Sequence, residues 1–128
     1  MLIIKSVIQP IATIDPLLPV LLDIEFFSSY EQHYCGRKAN PLASFTGIWC
    51  AKTALNQAIR CIVEFPACTF SDFEVCHADN GRPWIGLNHQ LAQWCQKQNL
   101  SIDLSITHSG DFAAATVLLY TKTKRHLP

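Results

Sequence analysis

The chain predicts a single α+β domain, with mostly antiparallel strands packed against one long central helix. Three observations predict it. First, 128 residues suffice for one domain with a real core. Second, Phe45, Ile48, Trp49, Leu55, Ile59 and Ile62 gather on one side of a helix at 100° per residue. Third, stretches of alternating polarity are joined by tight-turn signals, above all Asp79-Asn80-Gly81. No repeat and no linker interrupts the pattern, so residues 1–128 read as one domain.

In order, Met1 to Gln9 reads as a buried first strand, which Pro10 ends unless it starts a helix. Residues 11–27 are apolar, but Pro16 and Pro19 break any long helix and leave room for a short one from Leu17 to Ile24. Ser28 to Glu31 has the form of a capping box for a helix through Tyr34 or Cys35. A polar loop over residues 36–40 leads to Pro41, which suits the first turn of a helix over residues 42–62. Phe70 to His77 alternates as a strand, with Phe73, Val75 and His77 on one face. Asn80-Gly81 predicts a type I′ hairpin, and Arg82 to Ile85 open the return strand. Asn88 to Asn99 is an amphipathic helix, Leu100 to Ile106 a strand, Thr107 to Asp111 a turn, and Phe112 to Thr121 the last strand. A solvated basic tail, Lys122 to Arg125, follows.

Composition narrows the function. Formal net charge is +0, which argues against a nucleic-acid partner. With 49% hydrophobic and 16% charged residues, much of the surface is apolar and fit for association. No run of about 20 apolar residues exists, so no membrane helix is expected, and the N-terminus lacks a clean signal sequence. The six cysteines include no Cys-x-x-Cys pair for zinc or redox chemistry. These features place the chain in the cytoplasm. A nucleophile built from Cys35 or Cys50 with His108 gains no support from spacing.

Lys52 and Asn56 fall inside the apolar arc of the long helix. Polar groups there are costly unless paired or lining a cleft. Lys52 either pairs with a carboxylate such as Glu31 or Glu74, or forms a site wall with Asn56.

Four stretches carry a resemblance. Trp49 to Ala58 (WCAKTALNQA) resembles the helix motif of 4′-phosphopantetheinyl transferases of the small holo-acyl-carrier-protein synthase type, an aromatic followed by x-x-Lys-Glu-Ala-x-x-Lys-Ala. Phe70 to Val75 with Asp79 to Trp84 is similar to that family's strand and Asn-Gly-Arg/Lys-Pro turn. Leu104 to Ser109 with Phe112 to Ala115 is similar to its Ser-x-Thr/Ser-His strand end and Ala-rich strand. Phe27-Ser28-x-x-Glu31 with Tyr34-Cys35 also fits, and together these cover nearly the whole chain.

The resemblance implies an α+β fold, often a trimer with sites between subunits, that moves phosphopantetheine from coenzyme A to a carrier-protein serine. It implies magnesium on the pyrophosphate, held by two carboxylates. It places Lys52, Asn56, Arg82, Pro83, Ser105, Thr107 and His108 at the cofactor, with Lys52 catalytic in an active enzyme.

The sequence departs from the pattern where the metal is implied. Gln9 and Thr53 stand at the two carboxylate positions, with Asp15 as a substitute if the first strand is realigned. Gln57 replaces the second lysine, Ile48 an arginine, and Arg60 to Glu64 a glycine-rich loop. Residues 10–27 contain no basic residue to dock an acidic acyl carrier protein.

These losses predict a homologue with lost or strongly reduced transfer. It would bind or scaffold in a fatty-acid or polyketide-type pathway, as a homo-oligomer or with a carrier protein or another biosynthetic subunit. The alternative is an active magnesium-dependent transferase using coenzyme A.

Overall fold

The structure is a computed structural model and describes residues 1–122. Its elements are β1 (Leu2–Pro10), α1 (Ile11–Ile14), a 3-10 turn (Asp15–Leu17), α2 (Leu18–Asp23), α3 (Ser29–Gly36), α4 (Pro41–Ile59), a second 3-10 turn (Phe70–Asp72), β2 (Phe73–His77), β3 (Pro83–Leu87), α5 (His89–Lys97), β4 (Leu100–Ser109) and β5 (Phe112–Thr121). The strands form two antiparallel sheets, ordered β1-β5-β4 and β2-β3. The architecture is therefore the expected α+β fold. The basic tail beyond Lys122 lies outside the described residues.

The first strand is half-buried, not buried. β1 is an edge strand, and helices cover one face of its sheet. Leu2, Ile4 and Ile8 therefore face outward and are exposed, while Val7 turns to the core. Beside them on the outer face, Ser6 Oγ and Thr116 Oγ1 share a hydrogen bond of 2.8 Å, and Ser105 continues that row. After Pro10, the segment through Asp23 breaks into α1, the 3-10 turn and α2, with Pro16 and Pro19 at the starts of the latter two. A proline tolerates a first turn, where its missing N–H costs nothing. The Ile11 N–H donates to the Asp111 carbonyl at 2.8 Å and ties this corner to the β4–β5 hairpin.

α4 is the axis of the domain. Gly47, Cys50, Ala51, Ala54 and Ala58 are buried along it, and β5 turns Ala113, Ala115, Val117 and Leu119 inward. Small residues let helix and sheet approach closely. A Cβ on Gly47 would stand 2.8 Å from Ile106 Cγ2, closer than packed carbons tolerate, and Cys50 Sγ donates to the Ala113 carbonyl at 3.6 Å. The larger Ile48, Lys52, Leu55 and Ile59 are buried as well. α4 ends at Ile59, earlier than its periodicity predicts. The N–H groups of Cys61 and Ile62 bond three residues back, to Ala58 and Ile59, in a tightening last turn.

Two turns differ from expectation. The β2–β3 loop is not type I′, because only Gly81 has positive φ (+85°). The Ala78 carbonyl accepts from Gly81 N–H at 2.8 Å, and Ala78 N–H donates to Arg82 at 2.9 Å, so a type I-like turn is closed by a left-handed glycine. At the other hairpin, Thr107, His108 and Ser109 belong to β4, and the turn shrinks to Gly110 and Asp111. Gly110, with φ +58°, takes the first central position that a two-residue II′ turn reserves for glycine.

Candidate functional site

The local sequence first fixes a buried ion pair. Ser28 caps α3, and Glu31 completes the capping box predicted from Ser28-x-x-Glu31. Glu31 is fully buried. Its Oε1 lies 2.6 Å from Lys52 Nζ and accepts from Ser28 N–H at 2.7 Å, and its Oε2 accepts from Val75 N–H at 2.7 Å. Lys52 Nζ also donates to the Phe26 carbonyl at 2.7 Å. The pair joins α3, α4 and β2 at one point. A crevice bordered by Ser28, Ser71 and Glu74 ends on it, but the Lys52 side chain is only 1% exposed. Lys52, expected to be catalytic and cofactor-binding, thus has its ammonium engaged by a core carboxylate and backbone carbonyls at the closed end of that crevice.

The hairpin turns and the first half of α4 form a cavity of about 240 Å³. Pro83 and His108 line it together with Gly47, Ile48, Lys38 and His77. His77 is the residue here that motif reading missed; the only signal was its place on the Phe73–Val75 face of β2. Its ring stacks on Tyr34 at 3.7 Å and 7°, Lys38 Nζ sits 4.4 Å from the Tyr34 centroid, and its backbone N–H donates to Tyr30 OH at 3.1 Å. His77 Nδ1 is buried without a partner. Burial, and then the Lys38 charge, lower the His77 pKa and favour a neutral imidazole. One cation, Lys38, and several dipoles line this cavity without a carboxylate, so it suits an anionic or polar ligand.

The other expected cofactor residues are divided. Arg82 lies on the exposed turn, its N–H donating to Asn80 Oδ1 at 3.0 Å. Ser105 and Thr107 sit on the outer face of the sheet, because alternation along β4 turns them away from Ile106 and His108. One chain therefore does not bring Ser105 and Thr107 together with His108 in one pocket.

Gln9 pairs with Ala113, which pairs in turn with His108, so Gln9 and His108 share one row of the sheet. On the last turns of α4, Thr53 and Asn56 are half-buried and Gln57 is exposed, and Arg60 follows just beyond. At 100° per residue these form one open stripe about 100° wide. Asn56 and Arg60 line a second cavity of about 230 Å³ with Ile59, Ile62, Phe65 and Cys68. Gly47 and Gln57 stand ~15 Å apart along the helix axis, so the two cavities flank opposite ends of α4.

A hard divalent cation requires oxygen ligands, with carboxylates supplying charge. Gln9 and Thr53 offer a neutral amide and a neutral hydroxyl. Asp15 is exposed in the 3-10 turn beyond α1. Among the described residues no group of three or more His, Cys, Asp or Glu side chains is placed to hold a metal. The residues at the implied magnesium site do not fit the ion.

The thiols are unsuited to nucleophilic work. Burial, and then the Glu31 charge, push Cys35 up to about 12, and burial pushes Cys50 up to about 11. Neither forms the thiolate near neutral pH.

Residues 8–117 match the family model of the 4′-phosphopantetheinyl transferase superfamily. The chain is 29% identical over 96 residues to the holo-[acyl-carrier-protein] synthase of Myxococcus xanthus, covering 75% of this chain and 73% of the relative. It is 33% identical over 94 residues to the fatty acid synthase subunit alpha of Candida parapsilosis, covering 73% of this chain. It spans only 5% of the length of that fungal subunit. Among solved structures, the Chronobacterium ammoniagenes ACPS–CoA complex superposes with a TM-score of 0.78 at 24% identity, covering 96% of this chain and 99% of the other. The Helicobacter pylori holo-[acyl-carrier-protein] synthase in complex with coenzyme A gives 0.73 at 24% identity, covering 92% and 100%. At such identity these structural likenesses carry the fold.

Proposed function

This chain belongs to the 4′-phosphopantetheinyl transferase superfamily, and from that premise we propose that it is a coenzyme A-binding homologue of holo-acyl-carrier-protein synthase whose phosphopantetheinyl transfer is lost or strongly reduced. Its role is to bind or scaffold in a fatty-acid or polyketide-type pathway. The observation that carries this reading is the neutral pair Gln9 and Thr53 beside an intact fold. Transfer by the implied route draws on a divalent cation to offset charge developing on the pyrophosphate, and these residues supply no carboxylate for one. Coenzyme A binding is supported by the carboxylate-free cavity at Lys38, His77, Pro83 and His108, and by coenzyme A in the related Helicobacter structure.

The test is direct. Incubated with coenzyme A, magnesium and an apo carrier protein, the chain leaves the carrier's mass unchanged over times in which an active synthase converts it fully. Gain of a phosphopantetheine arm at an ordinary enzymatic rate overturns the reading.

The partner surfaces follow the same logic. The segment from Ile11 to Phe27 carries Asp15, Asp23 and Glu25 without a basic residue, and exposes Leu17, Val20 and Ile24. Such a face repels an acidic carrier protein and favours an apolar contact with another biosynthetic subunit. The outer sheet face, with Ile4, Ile8 and Phe112 exposed, packs against further copies in a trimer. In that assembly Ser105 and Thr107 reach a neighbour's site, which reconciles them with cofactor binding. Sedimentation at micromolar concentration gives the trimer mass, and Ile8→Arg shifts it to monomer; a monomeric parent chain removes this assembly. All six cysteines are unpaired, as suits a reducing, cytoplasmic compartment.

A further inference from the structure

We propose that Arg60, with Asn56, forms a phosphate-binding site that works without a divalent cation. The inference rests on the coenzyme A reading above but makes a claim of its own, because it concerns the opposite end of α4. In the last turns of the helix the surroundings take up almost every side chain: Ala54, Leu55, Ala58 and Ile59 are buried, and Lys52 is spent on Glu31. What stays open is Thr53, Asn56, Gln57 and then Arg60.

The cavity at this end has one charged lining group, the Arg60 guanidinium, and one side-chain amide, Asn56. The rest of its wall is apolar or a thiol, with no carboxylate. Arg60 has no acidic partner within salt-bridge distance among the described residues. Exposed at the rim of apolar walls and unpaired, the guanidinium can hold a phosphate with two parallel hydrogen bonds. The helix end alone would repel an anion through the negative end of its dipole, and the fixed charge of Arg60 reverses that sign. A carboxylate-held cation adds positive charge to a site that has first been made negative. Here neither step is needed, since Gln9 and Thr53 are neutral and Arg60 already offsets the anion.

Calorimetric titration of the full chain tests this with two probes, inorganic pyrophosphate and coenzyme A, each in EDTA and in magnesium. Both probes are expected to bind in EDTA, with no tightening by magnesium. Arg60→Ala weakens both about tenfold to a hundredfold, the loss of one charge-assisted contact. Arg60→Lys separates binding from a structural role. It keeps the charge at the helix end and the melting temperature, but loses the bidentate fork and with it part of the affinity.

Coenzyme A binding that Arg60→Ala leaves unchanged overturns the inference and leaves the coenzyme A reading standing. A magnesium requirement for both probes also overturns it. Pyrophosphate binding that depends on Arg60, without any coenzyme A binding, keeps the anion site and overturns the coenzyme A reading.

Discussion

Replacing Lys52 with methionine is expected to destabilise the domain by about 3–5 kcal/mol, the cost of leaving one member of a buried ion pair alone. Glu31 would keep its backbone donors, Ser28 N–H and Val75 N–H, but lose the ammonium 2.6 Å away. The Phe26 carbonyl would lose its 2.7 Å donor as well. Glu31→Gln is expected to destabilise as well: its amide oxygen can still accept from Val75 N–H, but the NH₂ then faces Lys52 Nζ and Ser28 N–H, donor against donor, and the ammonium stays buried without a counter-charge. The double replacement Lys52→Met with Glu31→Leu recovers part of the loss, since no charge is then stranded, although Val75 N–H and Ser28 N–H go unpaired. Urea denaturation of the four chains measures these differences. A Lys52→Met loss under 1 kcal/mol would mean that the ion pair does not hold α3 and β2 to the long helix.

Lys52 and Asn56 both fall in the apolar arc defined by Phe45, Ile48, Trp49, Leu55 and Ile59, and arc geometry alone assigns them one environment. The fold separates them: Lys52 enters the core and Asn56 lines an open cavity. The arc misled because it counted only large side chains. Cys50, Ala51, Ala54 and Ala58 form a second buried face against β5, and small residues are nearly silent in hydrophobic patterning although they decide how closely helix and sheet meet. The true opening on α4 is the narrow stripe left between these two faces.

Other features were legible because their cause is local. The capping box at Ser28 and the glycine-bearing hairpins depend on neighbouring residues, and they stand where sequence chemistry puts them, with altered turn geometry. His77 was not legible, since its significance comes from contact with Tyr34 and Lys38, far away in the chain. Likewise, nothing in Ser105-Ile106-Thr107-His108 announces that alternation sends its polar residues to opposite faces until the strand is known to run to Ser109.

The second large effect expected is a switch in magnesium dependence. Gln9→Asp together with Thr53→Glu should make coenzyme A binding require magnesium. The geometry brings the two positions towards one region: Cys50 Sγ donates to the carbonyl of Ala113, the partner of Gln9, and Thr53 follows Cys50 by one turn of α4. In EDTA the two new carboxylates repel an incoming diphosphate and compete for Arg60, so affinity falls about tenfold or more below that of the unaltered chain. Added magnesium gains oxygen ligands from both carboxylates and restores binding, because the cation now has a negative site to occupy. The unaltered chain shows neither the loss nor the rescue. Calorimetry with coenzyme A, with and without the metal, reads both arms. If the double variant binds coenzyme A equally in EDTA and in magnesium, Gln9 and Thr53 do not face a common site, and their neutrality ceases to explain a loss of transfer. If magnesium dependence appears and the carrier protein then gains its phosphopantetheine arm, two charges are what separate this chain from catalysis, and the rest of the transferase site is still in place.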